Sequence, residues 1–165
     1  MVTRRGLLTG LAASVLLPRP GVAAEVVDLS WADLLPEGQV FVPPLLQEFI
    51  DHSGPSMSDQ QPASTGVRTD WNGQTVRIPG FVLPIEHRGT GVSAFILVPY
   101  VGACIHVPPP PANQLVFVTP DTPYESGGMF EPVRVTGRFG VTTVSTQLAE
   151  VGYAMAAERI DPIAL

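Results

Sequence analysis

Lysine is missing from this 165-residue chain, and all nine basic residues are arginines. Arg4, Arg5 and Arg19 precede residue 25, where there is no acidic side chain. Residues 25–165 therefore carry six arginines against fifteen acidic residues, a net charge of −9. Binding to a phosphate backbone needs concentrated positive charge. The composition argues against nucleic acid as a partner.

The N-terminal apolar run is too short to span a membrane. It covers residues 6–17, whereas a helix needs roughly 20 residues to cross a hydrocarbon core about 30 Å thick. Arg4-Arg5 precede the run and small residues follow it at 22–24. Residues 1–24 are predicted to be an export signal cleaved after Ala24. The arginine pair resembles a twin-arginine signal, with an ordinary secretory signal as the alternative. The mature protein is predicted to be periplasmic, without a transmembrane span.

Cysteine occurs only once, at Cys104. Disulfides form in compartments outside the cytoplasm, but a single cysteine cannot pair within its own chain. The thiol is therefore a buried inert group, a metal ligand, a reactive centre or an intermolecular partner. Burial is the commonest state of an isolated cysteine.

Composition divides the remaining chain into three parts. They are an N-terminal arm at 25–51, a flexible linker at 52–70 rich in Ser, Gln, Pro and Gly, and a β domain at 71–165. In the arm, Ser30 as cap and Asp33 in the first turn predict a short helix. We expect Trp31 and Leu34 to dock this helix on the main body.

Short runs of alternating apolar and polar residues predict strands after residue 72. They lie at 74–86, 92–101, 115–119, 131–139 and 153–160. Pro79-Gly80 interrupts the first strand, which is typical of a bulge or a barrel corner. Ser145 or Thr146 could cap a short C-terminal helix through Val151. The predicted fold is mainly β: a small antiparallel β-barrel, OB-like in outline, with a short N-terminal helical arm and one short C-terminal helix.

The most distinctive stretch contains Cys104, His106 and a four-proline run at 108–111. If residues 93–106 form a strand, Cys104 and His106 point to the same face because side chains alternate. Neither a helix nor an interior strand continues through four prolines. The run is therefore predicted to form a rigid, extended ridge.

Two stretches resemble an uncharacterised family of exported bacterial proteins. They are PGFVLPIE at 79–86 and VPYVGACIHVPPPPANQ at 98–114, and the resemblance runs from about residue 71 to the end. It implies a domain of unknown function. Some members of that family are encoded beside envelope ABC-type transport components, in some cases linked to zinc supply. The resemblance assigns no role to any residue of this chain.

Three functions are compatible with the Cys104–His106 stretch. The favoured one is an exported binding or adaptor module working with envelope transport machinery, because preordered proline segments are common recognition surfaces. The residues predicted to meet that partner are Tyr100, Pro108, Pro109, Pro110 and Pro111.

The first alternative is a zinc or copper site that uses the Cys104 thiolate and the His106 imidazole. Such a site needs further ligands, for which the candidates are His87, Glu86 and, less plausibly, Met129 or His52. The second alternative is a cysteine-dependent enzyme with Cys104 as nucleophile and His106 as base, which requires the two side chains to lie within hydrogen-bond reach.

Overall fold

The computed structural model of this protein describes residues 25–40, 61–105 and 109–164. Within these ranges, two single-turn 3₁₀ helices, Trp31–Leu34 and Ala112–Gln114, accompany the strands. No helix in these ranges is long and apolar enough to cross a membrane. The prediction of a mainly β protein is confirmed. The strands are β1 (Val27–Asp28), β2 (Thr75–Arg88), β3 (Gly91–Val98), β4 (Val116–Pro120), β5 (Pro132–Ser145) and β6 (Glu150–Pro162).

Strands β2 to β6 close into a five-stranded barrel. β2 pairs antiparallel with β3, β3 with β4, and β5 with β6, while β5 returns to β2 and closes the ring. The pairing of β4 with β6 is parallel, as is that of β1 with β2, so the sheet is not antiparallel throughout. A closed, five-stranded barrel with non-sequential neighbours is the OB-like outline predicted from the sequence.

The barrel corner at Pro79-Gly80 lies where β2 exchanges one neighbour for another. β2 pairs with β5 up to Phe81 and with β3 from Phe81 onward. A Cβ atom on Gly80 would lie 2.8 Å from Cγ of Leu97 and 2.9 Å from the carbonyl oxygen of Val98. The glycine is therefore needed for close approach of β3. The register shifts of β2 come later, between Pro84 and His87.

Alternate residues of the five strands fill the barrel. Packing these apolar side chains removes them from water, at about 1.5–3 kcal/mol for each large aliphatic or aromatic group. The rings of Phe139 and Tyr153 stack with their centres 5.0 Å apart. Residues of this inner core that are at most 2% exposed include Val76, Ile78, Val82, Phe95, Leu97, Val116, Val118, Val133, Val135, Phe139, Tyr153 and Met155.

The described part of the N-terminal arm, residues 25–40, docks on the barrel through Trp31 and Leu34 as predicted. Asp33 accepts hydrogen bonds from the hydroxyl of Ser30 at 2.6 Å and from its backbone N–H at 2.7 Å, and both lower the pKa of Asp33. The helix places Leu34, which is fully buried, in the inner core. Trp31 packs against the same core and donates its indole N–H to the carbonyl of Pro79 at 2.8 Å.

Residues 61–70, the described part of the segment predicted as a linker, run along the barrel. The buried hydroxyl of Tyr153 accepts the backbone N–H of Arg68 at 2.7 Å and donates to the carbonyl of Leu34 at 3.0 Å. The Arg68 guanidinium lies over the ring of Trp71 and pairs with Asp70 at 2.9 Å. One tyrosine of β6 thus holds both the arm and the segment that precedes the barrel.

The prediction of a short C-terminal helix after residue 145 is wrong. Ser145 ends β5, Glu150 begins β6, and the chain reverses between them. The Thr146 hydroxyl accepts the N–H groups of Leu148 at 3.2 Å and Ala149 at 3.0 Å and donates to the Ala149 carbonyl. A threonine hydroxyl can satisfy backbone groups in a turn as well as at a helix start, and here the hairpin uses it for the turn.

Gly137 provides a test of how tightly the barrel is closed. It lies at a register shift between β5 and β6, and a Cβ atom there would overlap the Ala156 carbonyl oxygen and lie 2.8 Å from Cα of Ala157. We expect Gly137→Ala to lower the free energy of unfolding by about 1–3 kcal/mol, measured by urea denaturation. Gly140→Ala in the same strand is the control, because its Cβ atom would meet only Asn72 Oδ1 at 3.3 Å. Equal losses in the two variants would contradict this account.

Candidate functional site

The cysteine lies in a turn, so the prediction of a strand through residues 93–106 is wrong at its C-terminal end. β3 ends at Val98. Gly102 and Cys104 have φ angles of 90° and 67°, and the Ile105 N–H bonds to the Gly102 carbonyl at 3.3 Å. These left-handed residues reverse the chain. Strand alternation therefore does not fix the direction of the Cys104 side chain, and His106 lies outside the described residues.

Cys104 belongs to a second apolar cluster on the outside of the barrel wall. Side chains of β2 and β3 that alternate with the inner core point outward, and the segment after β3 and the β5–β6 turn fold over them. Cys104 is 2% exposed there. The buried members of this outer cluster are Leu83, Ile96, Val98, Ala103, Cys104, Leu115, Ala149 and Val151.

Burial controls the ionisation of this site. It raises the pKa of the Cys104 thiol to about 12. Burial also raises the pKa of Tyr100 to about 12, with a smaller contribution from the charge of the nearby Cys104 thiolate. Reactive and metal-binding cysteines act as thiolates, and nucleophilic ones have lowered pKa values. In this environment the thiol is protonated at neutral pH and packs as a small apolar group.

The further metal ligands named from the sequence are spread over the described barrel. His87 pairs with Val92 at the end of the β2–β3 hairpin away from Val98 and Cys104. Met129 lies in the β4–β5 loop and is 60% exposed. Among residues 25–40, 61–105 and 109–164, no three His, Cys, Asp or Glu side chains are grouped to hold a metal ion. His52 and His106 lie outside these ranges, so the Cys104–His106 metal site stays a prediction.

The described prolines of the 108–111 run lie against the body of the protein. Pro109 and Pro110 are buried and Pro111 is partly buried, while Pro108 lies outside the described residues. The carbonyl of Pro110 accepts the side-chain N–H of Gln61 at 2.8 Å. Pro111 leads directly into the turn Ala112–Gln114. Of these described prolines, Pro111 is therefore the one with surface available to a partner.

Three side-chain amides that received no role from the sequence fasten the N-terminal segments to this region. Gln61 donates to the carbonyl of Glu150 and accepts its N–H, both at 2.8 Å, as a neighbouring strand would. Asn113 donates to the Gly66 carbonyl at 2.8 Å, and Gln114 donates to that of Trp31 at 3.0 Å. Asn113 and Gln114 are almost fully buried. The sequence signal for this structural role was their position directly before an apolar strand, since buried amides need hydrogen-bond partners.

Apolar surface remains exposed around the outer cluster. Val101, in the turn after β3, and Met129 are each 60% exposed. Phe130 follows Met129 and donates its N–H to the Val82 carbonyl at 2.7 Å, which fixes the β4–β5 loop beside β2. Four partly buried aromatic rings pack on the outer cluster. We call this surface the aromatic patch: Phe81, Tyr100, Val101, Phe117, Met129 and Phe130.

Comparisons with known proteins identify the family. The model of DUF3299, described as a protein of unknown function, matches residues 31–162. The crystal structure of a DUF3299 family protein from Pseudomonas aeruginosa PAO1 is 32% identical, with a TM-score of 0.75 over 86% of this chain and 98% of that one. The structure of an OBody bound to hen egg-white lysozyme aligns over 58% of this chain and 86% of its own, at 16% identity and a TM-score of 0.38. This similarity is too low to bear on function. No curated protein matches. The chain belongs to the DUF3299 family of proteins of unknown function.

Proposed function

We propose that this protein is an exported binding or adaptor module that docks an envelope protein, a component of ABC-type transport machinery, through the aromatic patch. The observation that carries the proposal is the exposure of Val101 and Met129, 60% each, together with four partly buried aromatic rings that pack on the outer cluster. Contiguous exposed apolar surface is a common sign of a protein interaction site. Aromatic residues and methionine are enriched at such interfaces.

The position of the patch on the barrel supports the same function. OB-like barrels bind ligands on the face of their second and third strands. Here those strands are β3 and β4, and their outer face carries Ile96, Val98 and Phe117. The segment after β3 covers part of this face and presents Tyr100 and Val101 above it. The face that binds ligands in OB-like barrels is thus apolar here, and the residues beneath it are buried and closely packed.

A packed base favours docking because little needs to be ordered on binding. The residues beneath the patch, among them Leu83, Ile96 and Val98, are at most 1% exposed. Side chains fixed before association lose less conformational entropy when a partner arrives. Cys104 and Phe130 have left-handed backbone conformations, with φ of 67° and 60°, in the two loops that carry Val101 and Met129.

Site-specific crosslinking tests the aromatic patch. We expect a photoreactive amino acid at position 101 or at position 129 to crosslink one and the same envelope protein in cells of the native host, identified by mass spectrometry. Position 67 is the control, because Val67 is also an exposed apolar residue, at 36%, but lies on the segment before the barrel. With that partner purified, Val101→Asp should weaken binding about tenfold or more, since it places a charge in an apolar contact. Different partners at 101 and 129, or equal crosslinking at 67, would contradict the proposal.

Export is tested by fractionation. We expect the mature protein in the periplasm with Glu25 as its first residue, measured by intact mass. Replacing Arg4-Arg5 by lysines should retain the precursor in the cytoplasm if the twin-arginine route is used, whereas a secretory signal tolerates lysine because it needs only positive charge. Unprocessed protein from the wild-type gene would contradict the proposed location.

Measurements on the wild type and Cys104→Ala distinguish a packing role of Cys104 from a metal site and from a reactive thiol. The pKa of the Cys104 thiol rises on folding from 9.0 to about 12, so the folded state holds the proton more tightly. The stabilising effect of the protonated thiol is therefore lost as pH rises from 9 to about 12. Relative to Cys104→Ala, the wild type should lose about 1.4 kcal/mol of unfolding free energy between pH 7 and pH 10, measured in urea. Stoichiometric zinc or copper that disappears in the variant would instead support the metal site, and rapid alkylation at pH 7 would support a reactive thiol.

A further inference from the structure

The wall of the barrel has an open edge beyond the end of β4. β4 ends at Pro120, opposite Ala157 of β6, because proline at that point cannot donate to a further ladder bond. β6 continues to Pro162, with β5 paired along one side only. Among the strands that the structure describes, none pairs with the other side of β6 after Ala157. The edge from Glu158 to Pro162 is therefore available for a further strand.

A groove of about 240 Å³ lies along this edge. One wall is β6 at residues 157–160, and the other is the loop at 120–125. The loop is held in place because Tyr124 and Val92 exchange two backbone hydrogen bonds, at 2.8 and 2.9 Å. The Tyr124 hydroxyl also donates to Glu131 at 3.1 Å. Both walls are thus attached to other strands on their far sides, and the groove is formed before any ligand enters.

The charge of the groove is negative. Asp121, Glu125 and Glu158 line it and are exposed. Glu125 accepts one hydrogen bond from the Thr90 hydroxyl at 3.1 Å. Arg159 is the one basic side chain among the lining residues, and it pairs with Asp161 at 2.8 Å. Carboxylates on an open edge disfavour pairing with a second copy of this acidic chain, so they select against self-association and for a basic strand.

We propose that this groove binds an extended, basic segment of a partner protein, which adds to β6 as a strand. Strand addition uses main-chain hydrogen bonds for affinity and the alternating side chains for specificity. At this edge the backbone of residues 158–162 supplies the bonds, while Asp121 and Glu158 in the groove attract lysine or arginine side chains of the added strand. The groove shares no residue with the aromatic patch, and the inference does not depend on that patch.

Binding of synthetic octapeptides to the mature protein tests the groove. An acetylated, amidated peptide alternating valine and lysine should bind saturably in fluorescence anisotropy, and more weakly as salt is raised. The same peptide with glutamate in place of lysine should not bind. Asp121→Asn with Glu158→Gln should weaken binding about three- to tenfold, since each exposed ion pair contributes little alone. Glu37→Gln with Glu150→Gln removes two acidic charges outside the groove and should leave binding unchanged.

Backbone methylation distinguishes strand addition from simple charge attraction. A strand pairs through one edge, so methylating the amide nitrogens of only the valines or only the lysines should abolish binding in one case and preserve it in the other. Equal binding of both methylated peptides, of the glutamate peptide, or to the Asp121/Glu158 variant would overturn the proposal, as would failure of the parent peptide to bind. Val101→Asp should not alter peptide binding, which keeps this outcome separate from that for the aromatic patch.

Discussion

The architecture depends on the division of one strand between two neighbours. β2 pairs with β5 over its first half and with β3 over its second, and Phe81 pairs with both. This exchange closes the barrel, and it requires Leu97 and Val98 to approach the backbone at Gly80 more closely than a side chain would allow. The two faces of β2 then have different roles. Val76, Ile78 and Val82 face the inner core, while Leu83 supports the outer cluster.

The outer cluster gives a structural role to several of the residues at 98–114 that carry the family resemblance. Residues 99–105 leave the barrel wall and pack on its outer face, and the buried residues Pro109 and Pro110 precede the turn that leads into β4. Cys104, Ala103 and Leu115 are buried in the outer cluster, and Asn113 and Gln114 attach the N-terminal segments. For residues 98–105 and 109–114, the burial of the Cys104 thiol and of Pro109 and Pro110 indicates a packing role.

Local sequence pattern predicted the strands well but not the turn that carries Cys104. The alternation around Val76, Ile96 and Val135 is a local signal, and so were the cap at Ser30 and the corner at Gly80. The left-handed turn at Cys104 broke the alternation that had placed its side chain, and nothing in the neighbouring residues except Gly102 indicated it. The burial of Pro110 depends on Gln61, which is 49 residues away. Phe130 lies beside β2 through its hydrogen bond to Val82, a long-range contact that no local pattern indicates.

The hydroxyl of Tyr153 makes attachment of the N-terminal segments depend on formation of β6. It bonds to Leu34 across 119 positions and to Arg68 across 85. Contacts of such wide separation form late, because the entropy of closing the intervening chain must be paid before the contacts stabilise anything. The N-terminal arm therefore gains this anchor only when β6 is in place, whereas its contacts with β2 do not need β6. Attachment to Tyr153 thus marks completion of the barrel, because it requires β6 to be paired with β4 and β5.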